Sequence, residues 1–202
     1  IKSRNKMIEF LNEEHTGRIS SIDENGYPQI IPMNFVFIND SIYMHSHTKG
    51  EKLDNIKRNL KVGFEVDRNL EFLPSYFFDP NDASVADTLY ISVVIKGEAR
   101  IIMDVEEKVL ALNALMKKYQ PEGKYEPMNK SMKVLEAVAV IKITPKEMNG
   151  KYKIGQNMSA QERIELAENI LKKNSKTSLE TLEVMGFTTE GGKPVLKTNE
   201  EW

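Results

Sequence analysis

The sequence predicts a mainly β protein of the α+β class: an antiparallel barrel with peripheral helices and a C-terminal helical extension. Six segments rich in β-branched and aromatic residues are spaced along the chain. Asn25-Gly26 and Asn39-Asp40 are tight-turn dipeptides that join neighbouring segments as hairpins. The strand–helix alternation of a doubly wound sheet is absent, as are the G-x-G-x-x-G and Walker A phosphate loops.

Residues 1–14 read as a short helix with Met7, Ile8, Phe10 and Leu11 on its apolar side. Residues 17–22 form the first strand and 23–26 its turn. Residues 27–38 are extended but include Pro28 and Pro32, which cannot donate to a ladder, so this strand belongs at a sheet edge or bend. Residues 41–46 are the third strand. Thr48 and Glu51 have the spacing of a capping box, and Leu53, Ile56 and Leu60 then recur at helical period. Residues 61–67 are the fourth strand, 68–88 a long loop with an aromatic cluster, and 89–103 the fifth strand. Asp104 and Glu107 open a helix to about Tyr119, and 134–144 is the sixth strand. Residues 146–157 show no clear helix or strand. Ser159 with Glu162, and Thr177 with Glu180, have capping-box spacing for two short helices. From Thr188 the polar, glycine-containing tail reads as frayed. The expected organisation is a barrel domain over 1–150 and a helical extension over 151–202 packed on it.

Composition narrows the function classes. A net charge of −2 gives no general attraction to nucleic acid or anionic membrane. The absence of cysteine removes disulfides, thiol nucleophiles and thiolate metal sites, and fits a cytoplasmic protein. No apolar run approaches the ~18 residues of a membrane span, and no signal peptide is visible.

The segment "MHSHTKGEKLDNIKRN", residues 44–59, concentrates the polar chemistry. His45 and His47 are two apart, which on a strand places them on one face. A metal site takes further ligands, and with His15 distant and no cysteine none is in view, so no metal is expected. The strand-to-helix junction combines free backbone N–H groups at a helix start with the hydroxyls of Ser46 and Thr48, Gly50, and the charges of Lys49 and Lys52. These residues suit a phosphate cradle. They equally suit an ordinary capped surface helix with solvated lysines, and Glu51 competes for the same donors.

Taken jointly, "GRISSIDENGYPQIIPMNFVF", "IYMHSHTKGEKLDNIKRNLKVGFEV" and "YISVVIKGEARIIMDVEEKVLALNALMKKY" resemble the pyridoxamine 5'-phosphate oxidase-related proteins. Within them, the likeness points to the Nim nitroimidazole-resistance branch of flavin-binding split barrels. The shared elements are G-x-P-x-x-x-P-x-N-F, H-S-x-x-x-G-x-K and S-V-x-x-x-G, in that order over about residues 17–150. Ile91 stands where such sequences often carry arginine, and His47 where a small residue is common. Residues 150–163, "GKYKIGQNMSAQER", resemble a segment of the PaiB-like branch.

The resemblance implies a six-stranded split β-barrel that forms a homodimer, with FMN in a groove at the interface. The flavin ring would lie along Ile31, Pro32, Met33 and Asn34. The phosphate would sit in the turn holding His45, Ser46, Thr48, Lys49 and Lys52, which selects the phosphate reading of that turn. Tyr90 and Ser92 would approach from the partner subunit, and Gln156 and Asn157 of the PaiB-like segment would pack near the flavin. The function expected is that of an FMN-dependent oxidoreductase acting on a small molecule, with a nitro compound as the candidate substrate and His45 as the candidate proton donor. The alternatives are a non-catalytic flavin or heme binding protein, or a PaiB-like regulator. The net acidity and the lack of a helix-turn-helix signature weigh against direct DNA binding.

Overall fold

Turn chemistry sets the first half of the sheet. In the computed structural model, which describes residues 3–197, helix α1 (Arg4–Glu13) buries Met7, Phe10 and Leu11. Strands β1 (Thr16–Ile22) and β2 (Pro28–Asn34) pair antiparallel, from Thr16 opposite Asn34 to Ile22 opposite Pro28. Asp23 closes their turn: its Oδ1 accepts from the N–H groups of Asn25 and Tyr27, each at 2.8 Å. Strands β3 (Val36–Ile38) and β4 (Ser41–His47) form a second hairpin. Asn39 and Asp40 both adopt positive φ there, 49° and 54°, as a type I′ turn requires.

The chain continues through α2 (Glu51–Arg58), β5 (Lys61–Leu73), β6 (Asp87–Ile102), α3 (Val105–Tyr119), the single turn α4 (Val134–Ala137) and β7 (Val138–Lys153). Then come α5 (Ala160–Lys173), α6 (Ser178–Val184), β8 (Phe187–Glu190) and β9 (Lys193–Leu196). The main sheet has seven strands in the order β2-β1-β5-β6-β7-β4-β3, and β8 and β9 form a separate hairpin. The two edges of the main sheet, β2 and β3, are consecutive in the chain and separated by Phe35 alone. One residue spans only about 3.5 Å, so the sheet must curl until its edges come together at that point. The expected mainly antiparallel split barrel with peripheral helices is the fold found.

Several elements differ from the sequence reading, each for a local reason. The strand expected over 27–38 is two strands, because Phe35 leaves the ladder. The first stretch of the expected loop 68–88 continues β5 to Leu73, and Ser75–Phe77 and Ala83–Val85 are 3-10 turns. Residues 134–137 are a helical turn before the strand, and 146–153 lie in β7. Thr48 and Glu51 form no capping box: Gly50, at φ 140°, is the N-cap of α2, no side chain caps it, and Glu51 is the first helical residue. Asp104 accepts from the Glu107 N–H at 2.7 Å, but the Glu107 carboxylate is turned to Tyr43 and Lys142, so this box is half-formed. Ser159 and Glu162 form a full reciprocal box. Thr177 precedes α6 without capping it, its hydroxyl being held by Glu71. The tail read as frayed is the β8–β9 hairpin, and its last five positions lie outside the described residues.

The chain divides into two compact units. One comprises Arg4–Val66 and Val93–Asn149, and its core includes Phe10, Phe35, Tyr43, Phe64, Ile95 and Ile141. The other comprises, among the described residues, Ser3, Asp67–Ser92 and 150–197, with Leu70, Leu89, Ile154, Ile170 and Phe187 in its core.

Candidate functional site

Strand β2 reaches the sheet edge with an unusual side-chain record. Its residues alternate between exposed and half-buried, and none is buried. Ile30 is 62 % exposed and Tyr27, just before it, 71 %. Ile31 and Met33 are half-buried, while Pro32 and Asn34 are exposed. An apolar edge strand left open on one side carries unpaired backbone groups and invites either a partner chain or a flat apolar ligand. Pro28 and Pro32 sit there as the edge reading requires.

Strand β4 ends in the histidines. His45, His47 and Tyr43 share one face, and Ser46 lies on the other. Both histidines are exposed. Opposite them on β7 are Val140 and Val138. The Lys49 N–H donates to His47 Nδ1 at 3.3 Å and the Ser46 hydroxyl to the His47 carbonyl at 2.9 Å, so His47 organises the turn. Gly50 carries the chain into α2 with open space where a Cβ would stand. Thr48, Lys49 and Gly50 are exposed and Lys52 half-buried. The start of α2, uncapped by any side chain and flanked by Lys49 and Lys52, retains the donor set of an anion site. Glu51 and Asp54 in its first turn oppose this. They line a neighbouring cleft of about 470 Å³ with Asp23, Glu24, Asn25, Asn55 and Arg58, a surface too acidic for a phosphate. Among the described residues no group of three or more His, Cys, Asp or Glu is placed to hold a metal ion.

Helix α2 is seated by a residue the sequence reading passed over. Asn55 is 1 % exposed and donates through Nδ2 to Ser21 Oγ and Gln29 Oε1, both at 3.3 Å. Its Oδ1 accepts from Arg58 at 3.1 Å. A polar residue beside Ile56 on the apolar stripe of a short helix was the available signal. The bonds to β1 and β2 fix α2 and the turn before it against the β1–β2 hairpin.

A second cluster closes the seam between the sheet edges. Phe35 is fully buried, and its N–H donates to the Tyr119 hydroxyl at 2.8 Å. That hydroxyl lies 3.1 Å from the Phe35 carbonyl and also donates to the His15 carbonyl. Burial raises the Tyr119 pKa, partly offset by the Phe35 bond, so the phenol stays protonated near neutrality. Lys118 Nζ lies 3.9 Å from the centre of the Phe35 ring and donates to the Leu11 carbonyl at 2.9 Å. Burial lowers its pKa to about 8, against the pull of Glu14. On the Tyr43 side of β4, the Tyr43 hydroxyl and Lys142 Nζ both donate to Glu107 Oε1 at 2.7 Å. Burial and the Glu107 bond raise the Tyr43 pKa.

The remaining expected site residues belong to the other unit. Tyr90 and Ser92 are half-buried on β6, on the face opposite buried Leu89 and Ile91. Lys151 Nζ lies 5.4 Å from the Tyr90 ring centre, and Lys153 pairs with Asp87. Gln156 is exposed, and its amide folds back on its own backbone, accepting from the Ile154 N–H at 3.1 Å and donating to the Tyr152 carbonyl. Asn157 is exposed.

The profile of the pyridoxamine 5'-phosphate oxidase family matches residues 3–152. The chain belongs to the pyridoxamine 5'-phosphate oxidase family. Solved structures with the same fold include a candidate 5-nitroimidazole antibiotic resistance protein from Bacteroides thetaiotaomicron, at 23 % identity and a TM-score of 0.62, covering 74 % of this chain and 84 % of that one. An FAD and heme binding protein from Mycobacterium smegmatis matches at 18 % identity and a TM-score of 0.66, over 81 % and 78 % of the two chains. An Azotobacter vinelandii flavocytochrome matches at 18 % identity and a TM-score of 0.64, over 75 % and 68 %. No curated protein matches the chain. Among the described residues of this pyridoxamine 5'-phosphate oxidase family member, no helix is long and apolar enough to cross a membrane.

Proposed function

We propose that the protein binds FMN and works as a flavin-dependent oxidoreductase on a small molecule, with a nitroaromatic as the first substrate class to test. The observation that carries this is the open, apolar edge strand β2, with no buried side chain, in a hairpin tied by Asn55 to an uncapped, lysine-flanked helix start. That pairing suits a ligand with a flat ring and a phosphate tail. Pro32, Met33 and Asn34, with Ile31, would support the ring and offer backbone groups to its polar edge. Ser46, Thr48, Lys49 and Lys52 would hold the phosphate, with Gly50 allowing close approach. When bound, the flavin supplies hydride or electron transfer, and the chain supplies orientation and hydrogen bonds. His45, exposed beside the turn, is the candidate proton donor.

The exposed apolar residues Tyr27 and Ile30 support a homodimer, in which a two-fold partner covers this edge and brings its Tyr90 and Ser92 to the ligand. Gln156 is spent on its own turn, so within the proposed site Asn157 is the better candidate for a flavin contact from that segment. Two exposed imidazoles on one strand face, together with the heme-binding neighbours, favour a second reading: a heme or flavin binder without turnover. The absorption spectrum of the purified protein separates the two, since heme gives one intense Soret band and flavin two bands in the blue and near ultraviolet.

The test of the phosphate turn is Lys52→Ala titrated with FMN and with riboflavin. A charge-assisted hydrogen bond contributes about 1.5–3 kcal/mol, so FMN should weaken roughly 10- to 150-fold. Riboflavin, which has no phosphate, should be almost unaffected. Equal losses for both would remove the phosphate from this turn.

A further inference from the structure

Phe35 is the one residue between the two edges of the sheet, and neither of its backbone groups is placed in the ladder of β2 or β3. In a fully buried residue those groups need partners. A single phenol faces both: the Phe35 N–H donates to Tyr119 Oη at 2.8 Å, and Oη lies 3.1 Å from the Phe35 oxygen. The same hydroxyl reaches the carbonyl of His15, at the entry to β1, and the His15 and Tyr119 rings meet edge-on with centroids 5.3 Å apart. Tyr119 is the last residue of α3. One hydroxyl thus joins the end of α3, the entry to β1 and the exit of β2. The Phe35 ring is held separately, edge-on to Phe64 at 5.1 Å and under Lys118.

We propose that Tyr119 is a positioning residue for the ligand strand: its hydroxyl sets where the chain leaves β2 and so the direction in which the backbone of Pro32, Met33 and Asn34 faces the flavin ring. The proposal rests on the FMN reading above. It concerns the ring, whereas Lys52 concerns the phosphate, so the two act on different parts of the ligand. Removing the hydroxyl leaves the buried Phe35 N–H without its acceptor, and it regains one only if residues 33–36 shift.

Tyr119→Phe and Lys118→Met are compared with the wild type in three measurements: affinity for FMN and riboflavin, absorption spectrum of the bound flavin, and amide exchange over residues 33–36. Tyr119→Phe should lower both affinities by the same factor, on the order of tenfold for one unsatisfied buried group. It should also shift the bound spectrum and speed exchange at Phe35 and Val36. Lys118→Met, which removes the neighbouring cation but keeps the phenol, should melt earlier with an unchanged bound spectrum. Unchanged affinities and spectrum in Tyr119→Phe, or equal spectral shifts in both variants, overturn the proposal. A wild type that binds neither flavin overturns the FMN reading and this proposal with it, while faster exchange in Tyr119→Phe would still show the hydroxyl holding the seam. If Tyr119→Phe fails to fold, 3-fluorotyrosine at position 119 keeps ring and hydroxyl and acidifies the phenol. It should leave the bound spectrum and both affinities close to wild type, and a variant that retains the hydroxyl yet binds FMN and riboflavin about tenfold more weakly overturns the positioning role.

Discussion

Replacing Glu71 by glutamine tests how the C-terminal helices are held. Glu71 is 4 % exposed. Its Oε1 accepts from Lys173 Nζ at 2.7 Å. Its Oε2 accepts from the hydroxyls of Ser175, of Thr177 at 3.2 Å and of Ser178 at 3.4 Å. Burial alone would raise its pKa, but the bonds from Lys173 and Ser175, the Lys173 charge and the Thr177 hydroxyl outweigh it and hold the carboxyl below its ordinary 4.5. Glu71→Gln keeps the volume, removes the charge and turns one acceptor into a donor. The hydroxyls can rotate to accept from the new amide; the ammonium cannot. Losing one charge-assisted bond costs about 1.5–3 kcal/mol, and breaking a fully buried pair about 3–5. Lys173 keeps 27 % of its side chain in water, which favours the lower range, about 2 kcal/mol. For a chain of this size that lowers Tm by about 4–8 °C. Circular dichroism melts at pH 7 should read this loss, with faster amide exchange over residues 170–184. Because the folded pKa is depressed, the stabilisation is present above pH 4.5 and disappears as the pH falls through the folded value. Wild type and variant should therefore converge in acid. A Tm difference below about 1 °C at pH 7, or one undiminished at low pH, would refute the reasoning.

Further outcomes follow from packing and titration. Gly17→Ala places a Cβ 2.1 Å from Phe64 Cζ, and Phe64 is buried against Phe35, so the ring cannot retreat freely. Overpacking of this kind costs about 1–3 kcal/mol, to be read as a lower denaturant midpoint with an unchanged slope. Lys118 titrates at about 8 in the folded protein against 10.5 in the unfolded chain. Between these values the unfolded state binds more protons, so stability should rise with pH across that window and stay flat below it as far as this group decides. The wild-type melting point minus that of Lys118→Met, followed from pH 7 to 10.5, isolates the effect from Tyr119 and other alkaline groups; a difference that falls with pH would contradict the assignment.

By itself the sequence determined the local elements whose causes are local. Asn25-Gly26 and Asn39-Asp40 make their turns because the dihedrals they need are available to those residues without help. Ser159 and Glu162 cap α5 reciprocally because both partners lie within one turn. The prolines of β2 announced an edge strand, since a missing N–H is tolerated only there. The motif order along residues 17–119 was enough to point to the family. What the tertiary structure decided was every outcome in which distant groups compete for the same atom. Thr177 and Glu107 have capping-box spacing, yet the first gives its hydroxyl to Glu71 and the second its carboxylate to Tyr43 and Lys142. At the break, the Phe35 N–H finds its acceptor on a hydroxyl 84 positions away, and no period or propensity at Phe35 itself announces it. Strands β5 and β7 run past the ends their sequences suggest, because ladder hydrogen bonds are set by the neighbouring strand and not by the residues of one strand alone.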